Sequence, residues 1–358
     1  MVRMESSRGT VCTAIPSRKH RTCDAGRAIE GGRDHFARMQ STNTRVNGNP
    51  QMSDTLLDAI MKNEDKCTAH SLCGAAEKFV TCHLTPIRWL KGGDEALVLH
   101  VQGPEGPLVL HGSSPRLSSV ELMWSHAVAR HAHHSVPQVV LPLEFEGRTL
   151  FKWRGRHVAV YPFVAGNLLD REDRHFRKAA AELLAKLHLA LLDWTGGPRP
   201  LGQCPIESVA LPSDLLDGEL DDWWRINRAS GVVTTAIHGD YYERNLLCSA
   251  DAITGVIDWH DATVAPLAME LAGATFTFCR DTEHALEVSK ANNFVASYRA
   301  AGGPISENEV ASLVHFIRLW LRRDVALNLI SGSETHDSYI REQIRAFTQL
   351  AQFKWKPE

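Results

Sequence analysis

The sequence predicts an α+β chain in two lobes: a small antiparallel β lobe carrying one helix, then a larger and mainly helical lobe. Three observations lead there. Short apolar runs separated by Gly, Pro and Asp clusters occupy about residues 77–161, the pattern of strands joined by tight turns. After about residue 165, apolar residues recur at helical spacing instead. The 358 residues are 44% hydrophobic and 23% charged, ordinary globular values with length enough for two lobes.

Residues 1–53 stand apart. They hold nine basic residues (Arg3, Arg8, Arg18, Lys19, Arg21, Arg27, Arg33, Arg38, Arg45) against four acids (Glu5, Asp24, Glu30, Asp34), with few apolar residues. Such a segment buries too little apolar surface to offset chain entropy, so a disordered basic leader is expected. An organellar transit peptide and a mobile extension ahead of a start at Met52 are both compatible with it.

The β lobe, taken as residues 54–161, begins as a meander. Runs at 85–90, 96–101 and 107–111 are divided by Lys91-Gly92-Gly93-Asp94 and Gly103-Pro104-Glu105-Gly106. Residues 118–133 read as a helix, and 149–153 with 157–161 as a hairpin about Arg154-Gly155-Arg156. In the helical lobe, residues 162–358, Phe176, Ala180, Leu183, Leu184, Leu187 and Leu191 form one helix face. Ser306 and Glu309 have the spacing of a capping box, and Val310, Leu313, Val314, Ile317, Trp320 and Leu321 predict one long amphipathic helix behind it.

Several function classes are disfavoured at this stage. A net charge of −3 offers no electrostatic attraction to nucleic acid or anionic membrane, and no apolar run approaches the ~18–20 residues of a membrane span. Eight cysteines without a CxxC pair point to reduced thiols in the cytoplasm rather than a disulfide framework or zinc site. No obligate protein partner is evident.

The chemistry concentrates in residues 236–262. A strand over 234–237 runs into His238-Gly239-Asp240; strands starting at Leu246 and Ile253 bring Asn245 and Asp258 to one end of a hairpin, with Asp240 beside them. Phosphoryl transfer asks for oxygen ligands to Mg²⁺ and for a carboxylate that positions and deprotonates the acceptor hydroxyl. Asn245 and Asp258 suit the first task and Asp240 the second, while His238 reads as the residue that holds the loop by bonding backbone. Arg244 lies where a side chain reaches a phosphate or faces solvent.

His238-Gly239-Asp240-x4-Asn245, followed thirteen residues later by Asp258 in Ile257-Asp258-Trp259, resembles the aminoglycoside phosphotransferase and choline kinase family. Ala185-Lys-Leu-His188, Tyr161-Pro-Phe163-Val164-Ala-Gly166 and Pro266-Leu-Ala-Met-Glu270 agree with it. The resemblance spans roughly residues 80–350. It implies a protein-kinase-like fold and transfer of a γ-phosphate from Mg²⁺-bound ATP or GTP to a small hydroxylated molecule. An aminoglycoside-type antibiotic comes first as acceptor, then choline, homoserine or methylthioribose. It further implies that Tyr161, Phe163 and Val164 meet the nucleotide base, and that Gly92 and Gly93 cover the phosphates. Two positions depart from the family pattern. His111 stands where a Lys or Arg clamps the phosphates, and Ser125 where its Glu partner belongs, with Glu121 one turn earlier on the same face. Those departures motivate a nucleotide-binding pseudokinase as a further alternative. A hydrolase using His238 and Asp240 is a more distant one.

Overall fold

The structure is a computed structural model that describes residues 63–90, 92, 96–200, 209–229, 231–331 and 337–355. The expected leader and Gly93 lie outside the described residues.

The described residues open with α1 (Asn63–Val80), a helix that the sequence pattern did not single out, because its apolar residues are interleaved with Asn, Glu, Lys and His. It leads into β1 (Thr85–Leu90), β2 (Leu97–Gly103) and β3 (Gly106–Gly112). Next come α2 (Ser119–His133), β4 (Phe151–Trp153) and β5 (Arg156–Pro162). The five strands form one antiparallel sheet in the order β1-β2-β3-β5-β4.

Period-two alternation divides the sheet's faces. Leu99, Val101, Leu108, Leu110, Val158 and Val160 are buried and pack with Leu72, Ala76 and Phe79 of α1 in the smaller of two hydrophobic cores. Residues of opposite parity, among them His100, His111, Ala159 and Tyr161, belong to the other face; His111 pairs with Ala159 and Val109 with Tyr161.

The larger core is helical. After the short β6 (Asn167–Leu168), α3 (Arg174–Leu191) is capped by Asp173 and buries the predicted face. Then follow α4 (Gly218–Asn227), β7 (Thr234–Ile237), β8 (Leu246–Ser249), β9 (Ala252–Val256) and β10 (Thr263–Pro266). Helix α5 (Leu267–Cys279) is buried along most of its length, with α6 (Val288–Ala300) beside it. Sheets β6-β8-β9 and β10-β7 hold the segments that carry the chemistry.

The capping box forms as expected, Ser306 Oγ accepting from the Glu309 amide. The long helix behind it is interrupted, however: α7 (Glu307–Ala311) ends at Ser312, whose φ −102°, ψ 11° leaves helical geometry, and α8 (Leu313–Ser331) starts afresh. Apolar spacing survives such a break, so periodicity did not reveal it. Helix α9 (Asp337–Ala351) closes the described chain. Helix α2 packs Trp124, Val128, Ala129 and Ala132 into this larger core, although it lies between strands of the small sheet in sequence. The protein-kinase-like architecture expected from the sequence is thus observed, with α1 added.

No described helix is long and apolar enough to cross a membrane. The described cysteines Cys67, Cys73, Cys82, Cys248 and Cys279 are all free thiols.

Candidate active site

Strand β7 delivers His238 as a fully buried side chain. Its Nε2 lies 2.9 Å from the Ile257 carbonyl, and its Nδ1 accepts the Asp240 amide at 3.3 Å. One neutral tautomer satisfies both contacts, with Nε2–H donating; burial pushes the imidazole pKa down, against the pull of Glu270, and keeps it in that form. His238 therefore ties the loop to backbone, as its sequence context suggested.

Gly239 has φ +85°, and a Cβ there would sit 2.1 Å from the Asp261 carbonyl oxygen. Only glycine allows the two loops to touch at that point. Asn245 donates through Nδ2 to both the Asp240 carbonyl (2.8 Å) and Oδ2 (2.9 Å), and its own carbonyl accepts the Ile257 amide at 3.0 Å. Asp240, Asn245 and the residue before Asp258 thus form one bonded unit.

Beneath it, Glu270 takes up three donors. Oε1 accepts the Gly239 amide at 2.6 Å, and Oε2 accepts the His238 amide (3.3 Å) and His188 Nε2 (3.0 Å). His188, wholly buried, continues to the Tyr298 hydroxyl at 2.7 Å. Burial alone would raise Glu270's pKa, but His188 and these hydrogen bonds hold it below the usual range, so the carboxylate is ionised. No role had been assigned to Glu270 from the sequence; the signal available was a lone acid in the apolar run Leu267–Ala274.

Asp258 occupies left-handed backbone, φ 65°, ψ 64°. Its Oδ1 contacts His260 Nδ1, and His260 Nε2 lies 3.4 Å from Asp261. Burial works against the charged form of each group, yet the pairing prevails: Asp258 falls well below the ordinary carboxylate range and His260 rises to about 10. Asp240 has no such cation in contact. Burial, with Asp261 and Asp258 nearby, pushes its pKa up to about 8.

Hard oxygen donors are what Mg²⁺ requires. Both hydrogen bonds of the Asn245 side chain run through Nδ2, which leaves Oδ1 for a cation, and Asp258 is ionised with Oδ2 outside the His260 contact. This donor set fits a magnesium ion.

Across the cleft-facing side of the small sheet, His111 stands edge-on to Tyr161 (6.2 Å between centroids) and 6.5 Å from His260. Burial pushes its pKa below the ordinary histidine value, Asp258 pulling the other way. The Tyr161 hydroxyl lies 3.4 Å from His126 Nε2. Phe163 stacks on His100 at 4.0 Å, and Val164 is half-buried beyond it. Gly92 packs against Val98 and Ala96, leaving no room for a Cβ. Arg244 is exposed on its turn. Glu121, weighed as a partner for His111, is engaged elsewhere: its carboxylate caps Ser118 and lies 3.4 Å from Arg199 Nη2, while Ser125 Oγ donates to its carbonyl.

Next to Asp240 a pocket opens among Ile237, Tyr242, Met269, Trp320 and Arg323. The acidic run 214–222 does not line it. Asp217 caps α4 and pairs with Arg318, Asp221 pairs with Arg322, and Asp222 with Arg225. Trp223 stacks on His315 at 4.5 Å. Likewise His131 and His133, at the end of α2, bond to Asp193 and the Val139 carbonyl as an ordinary helix terminus.

Residues 86–305 match the phosphotransferase enzyme family. Homoserine kinase of Afipia carboxidovorans is 29% identical over 183 residues, 47% of this chain and only 55% of that protein. Homoserine kinase of Methylobacillus glycogenes is 27% identical over 270 residues, covering 66% and 83%. The structure of a microcompartment-associated aminopropanol kinase superimposes with a TM-score of 0.57 at 19% identity, over 77% of this chain and 93% of that one, a likeness of fold. With the family match extending over more than half of its length, the chain belongs to the phosphotransferase enzyme family.

Proposed function

We propose that this protein is a small-molecule kinase that transfers the γ-phosphoryl group of Mg²⁺-bound ATP or GTP to the hydroxyl of a small metabolic amino alcohol, of which homoserine is the first candidate. One observation carries the reading: Asn245 bonds Asp240 through its amide nitrogen, keeps its amide oxygen free, and is joined through Ile257 to Asp258. Proton acceptor and cation ligands are thereby held at fixed separation.

In this reading Asp240 accepts the proton of the acceptor hydroxyl as its oxygen attacks the γ-phosphorus, and the bond to the nucleotide diphosphate breaks. Asn245 and Asp258 would hold Mg²⁺, which when bound neutralises charge on the phosphate oxygens. Because Asp240 keeps its proton up to about pH 8 in the free protein, its work as a base depends on nearby positive charge. His111 and Tyr161 stand on the sheet face where the nucleotide would lie. His111 supplies a polar contact in place of the usual lysine, and Phe163 and Val164 border the base. Gly92 belongs to the turn above the phosphates, and Arg244 faces solvent at the rim.

Between acceptor classes, the ion pairs favour a metabolite over a polycationic antibiotic. The acids that would greet an aminoglycoside are bound by arginines of the same chain. A second reading, a nucleotide-binding protein without turnover, is favoured by His111 alone. Magnesium-dependent transfer of labelled γ-phosphate from ATP and GTP to amino alcohols, choline, methylthioribose and antibiotics separates the two. Transfer to one acceptor that vanishes in Asp240→Asn supports the kinase. Tight nucleotide binding with no transfer to any acceptor supports the second reading.

A further inference from the structure

Two adjacent arginines of α8, Arg322 and Arg323, have donors left over beside the pocket at Asp240. Arg323 borders that pocket and also a second, more open one formed by Val209, Leu211, Trp224, Leu319 and Ala326. It donates to the Gly239 carbonyl at 3.3 Å through Nη1. A guanidinium has five N–H groups, so most of its fork remains available to a ligand. Arg322 also lines the open pocket; its Nη1 meets Asp221, while Nε and Nη2 are buried without a hydrogen-bond partner. Buried donors in that state cost free energy, and their charge adds to the positive potential at the open pocket.

The carboxylates nearby leave most of these N–H donors unused, although Asp324 lies within electrostatic reach of Arg323. Glu270 is taken up by His188 and the His238 and Gly239 amides. Asp324, next along α8, receives the Tyr339 hydroxyl at 2.9 Å and Asn328. Asp240 is the remaining carboxylate among the residues lining the two pockets, and its partner is the reacting hydroxyl.

Building on the kinase reading, we infer that the acceptor is an anionic hydroxy compound whose carboxylate is bound by Arg323, with Arg322 adding positive potential behind it. The planar fork suits a carboxylate in two-point contact. Its bond to the Gly239 carbonyl places that contact next to Asp240, so the bound anion orients the hydroxyl toward the base.

The test compares acceptors that differ by one carboxylate: L-homoserine with 3-amino-1-propanol, L-serine with ethanolamine, and 4-hydroxybutyrate with 1-propanol. Full-length protein, Arg323→Met and Arg323→Lys are assayed for transfer and, by calorimetry, for acceptor binding. The expected result is a preference for the carboxylated member of a pair by roughly 10- to 100-fold in kcat/KM. Arg323→Met raises KM for that member by a similar factor more than for the member without a carboxylate, and Arg323→Lys restores part of that difference. Equal use of both members overturns the inference. So does an equal loss on both in Arg323→Met, which would mean that Arg323 acts only through Gly239. Arg323-dependent binding of a carboxylated acceptor without transfer to any acceptor would keep this anion site and remove the kinase reading. Transfer without regard to the carboxylate would do the reverse.

Discussion

Glu270 Oε1 accepts the Gly239 amide at 2.6 Å, so a buried carboxylate of α5 holds the residue immediately before Asp240. The same side chain reaches the His238 amide and His188, which makes it the anchor of the loop rather than a group that touches a ligand. Glu270→Gln keeps the volume but sets an NH₂ against at least one of these donors. Turnover is expected to fall roughly 10- to 100-fold, the cost of a small misplacement of a reacting group, with the nucleotide KM little changed. Steady-state kinetics checks the split; a variant with unaltered kcat would show that the loop holds itself.

Gly239 admits no side chain. An alanine there would suffer both the positive φ and a Cβ at 2.1 Å from the Asp261 carbonyl oxygen, backbone that cannot step aside cheaply. Gly239→Ala is expected to lower stability by about 3 kcal/mol or more. Urea unfolding measures it, and a loss below about 1 kcal/mol would mean the two loops do not touch.

His126 makes stability depend on pH. Burial, with His111 and Arg130 adding to it, pushes its pKa down to about 4, while in the unfolded chain it returns to about 6.5. The unfolded state then binds the proton first as pH falls. This contribution is fully present above pH 6.5 and is lost progressively toward pH 4, amounting to about 3 kcal/mol. Relative to the parent, His126→Gln flattens the melting temperature across that window. Parallel profiles for the two proteins would count against it.

Nucleotide affinity is expected to rise as pH falls from 8 to 6. Free His111 is held neutral by burial, and phosphates placed beside it favour the protonated ring, so binding takes up a proton. Fluorescent-nucleotide titrations across this range detect the slope. His111→Gln removes it, and a slope unchanged in that variant would assign the proton to another group.

Local signals were enough to read much of this architecture. Turn clusters and short apolar runs marked β1 to β3, whereas the shared face of His111 and Tyr161 followed from the β3–β5 register. The His238–Asp258 stretch was legible because its contacts lie within about twenty residues of one another in sequence. What escaped was set by tertiary contact. Helix α1 carries a mixed pattern whose burial depends on the sheet above it, and the break at Ser312 leaves the apolar period intact. Arg323 is 83 residues beyond Asp240, and nothing near it in sequence marks it as a neighbour. The acidic run before Trp223 reads by itself as a solvated helix start, and the partners of Asp217 and Asp221, Arg318 and Arg322, come from α8 about a hundred residues on.

Arg199 joins Glu121, at the start of α2, to the Ala262 carbonyl at 3.0 Å, just past the Asp258 loop. In kinases that pair this helix with a strand lysine, the helix travels with the sheet, and swinging it out switches the enzyme off. Here the tether runs the other way. The helix is moored to the large lobe by Arg199 and by its own buried face, and it touches the sheet through His126, which meets the Tyr161 hydroxyl. In a chain wired in this manner, an outward swing of the helix would have to break the Arg199 bridge, which ties the start of α2 to the loop after Asp258.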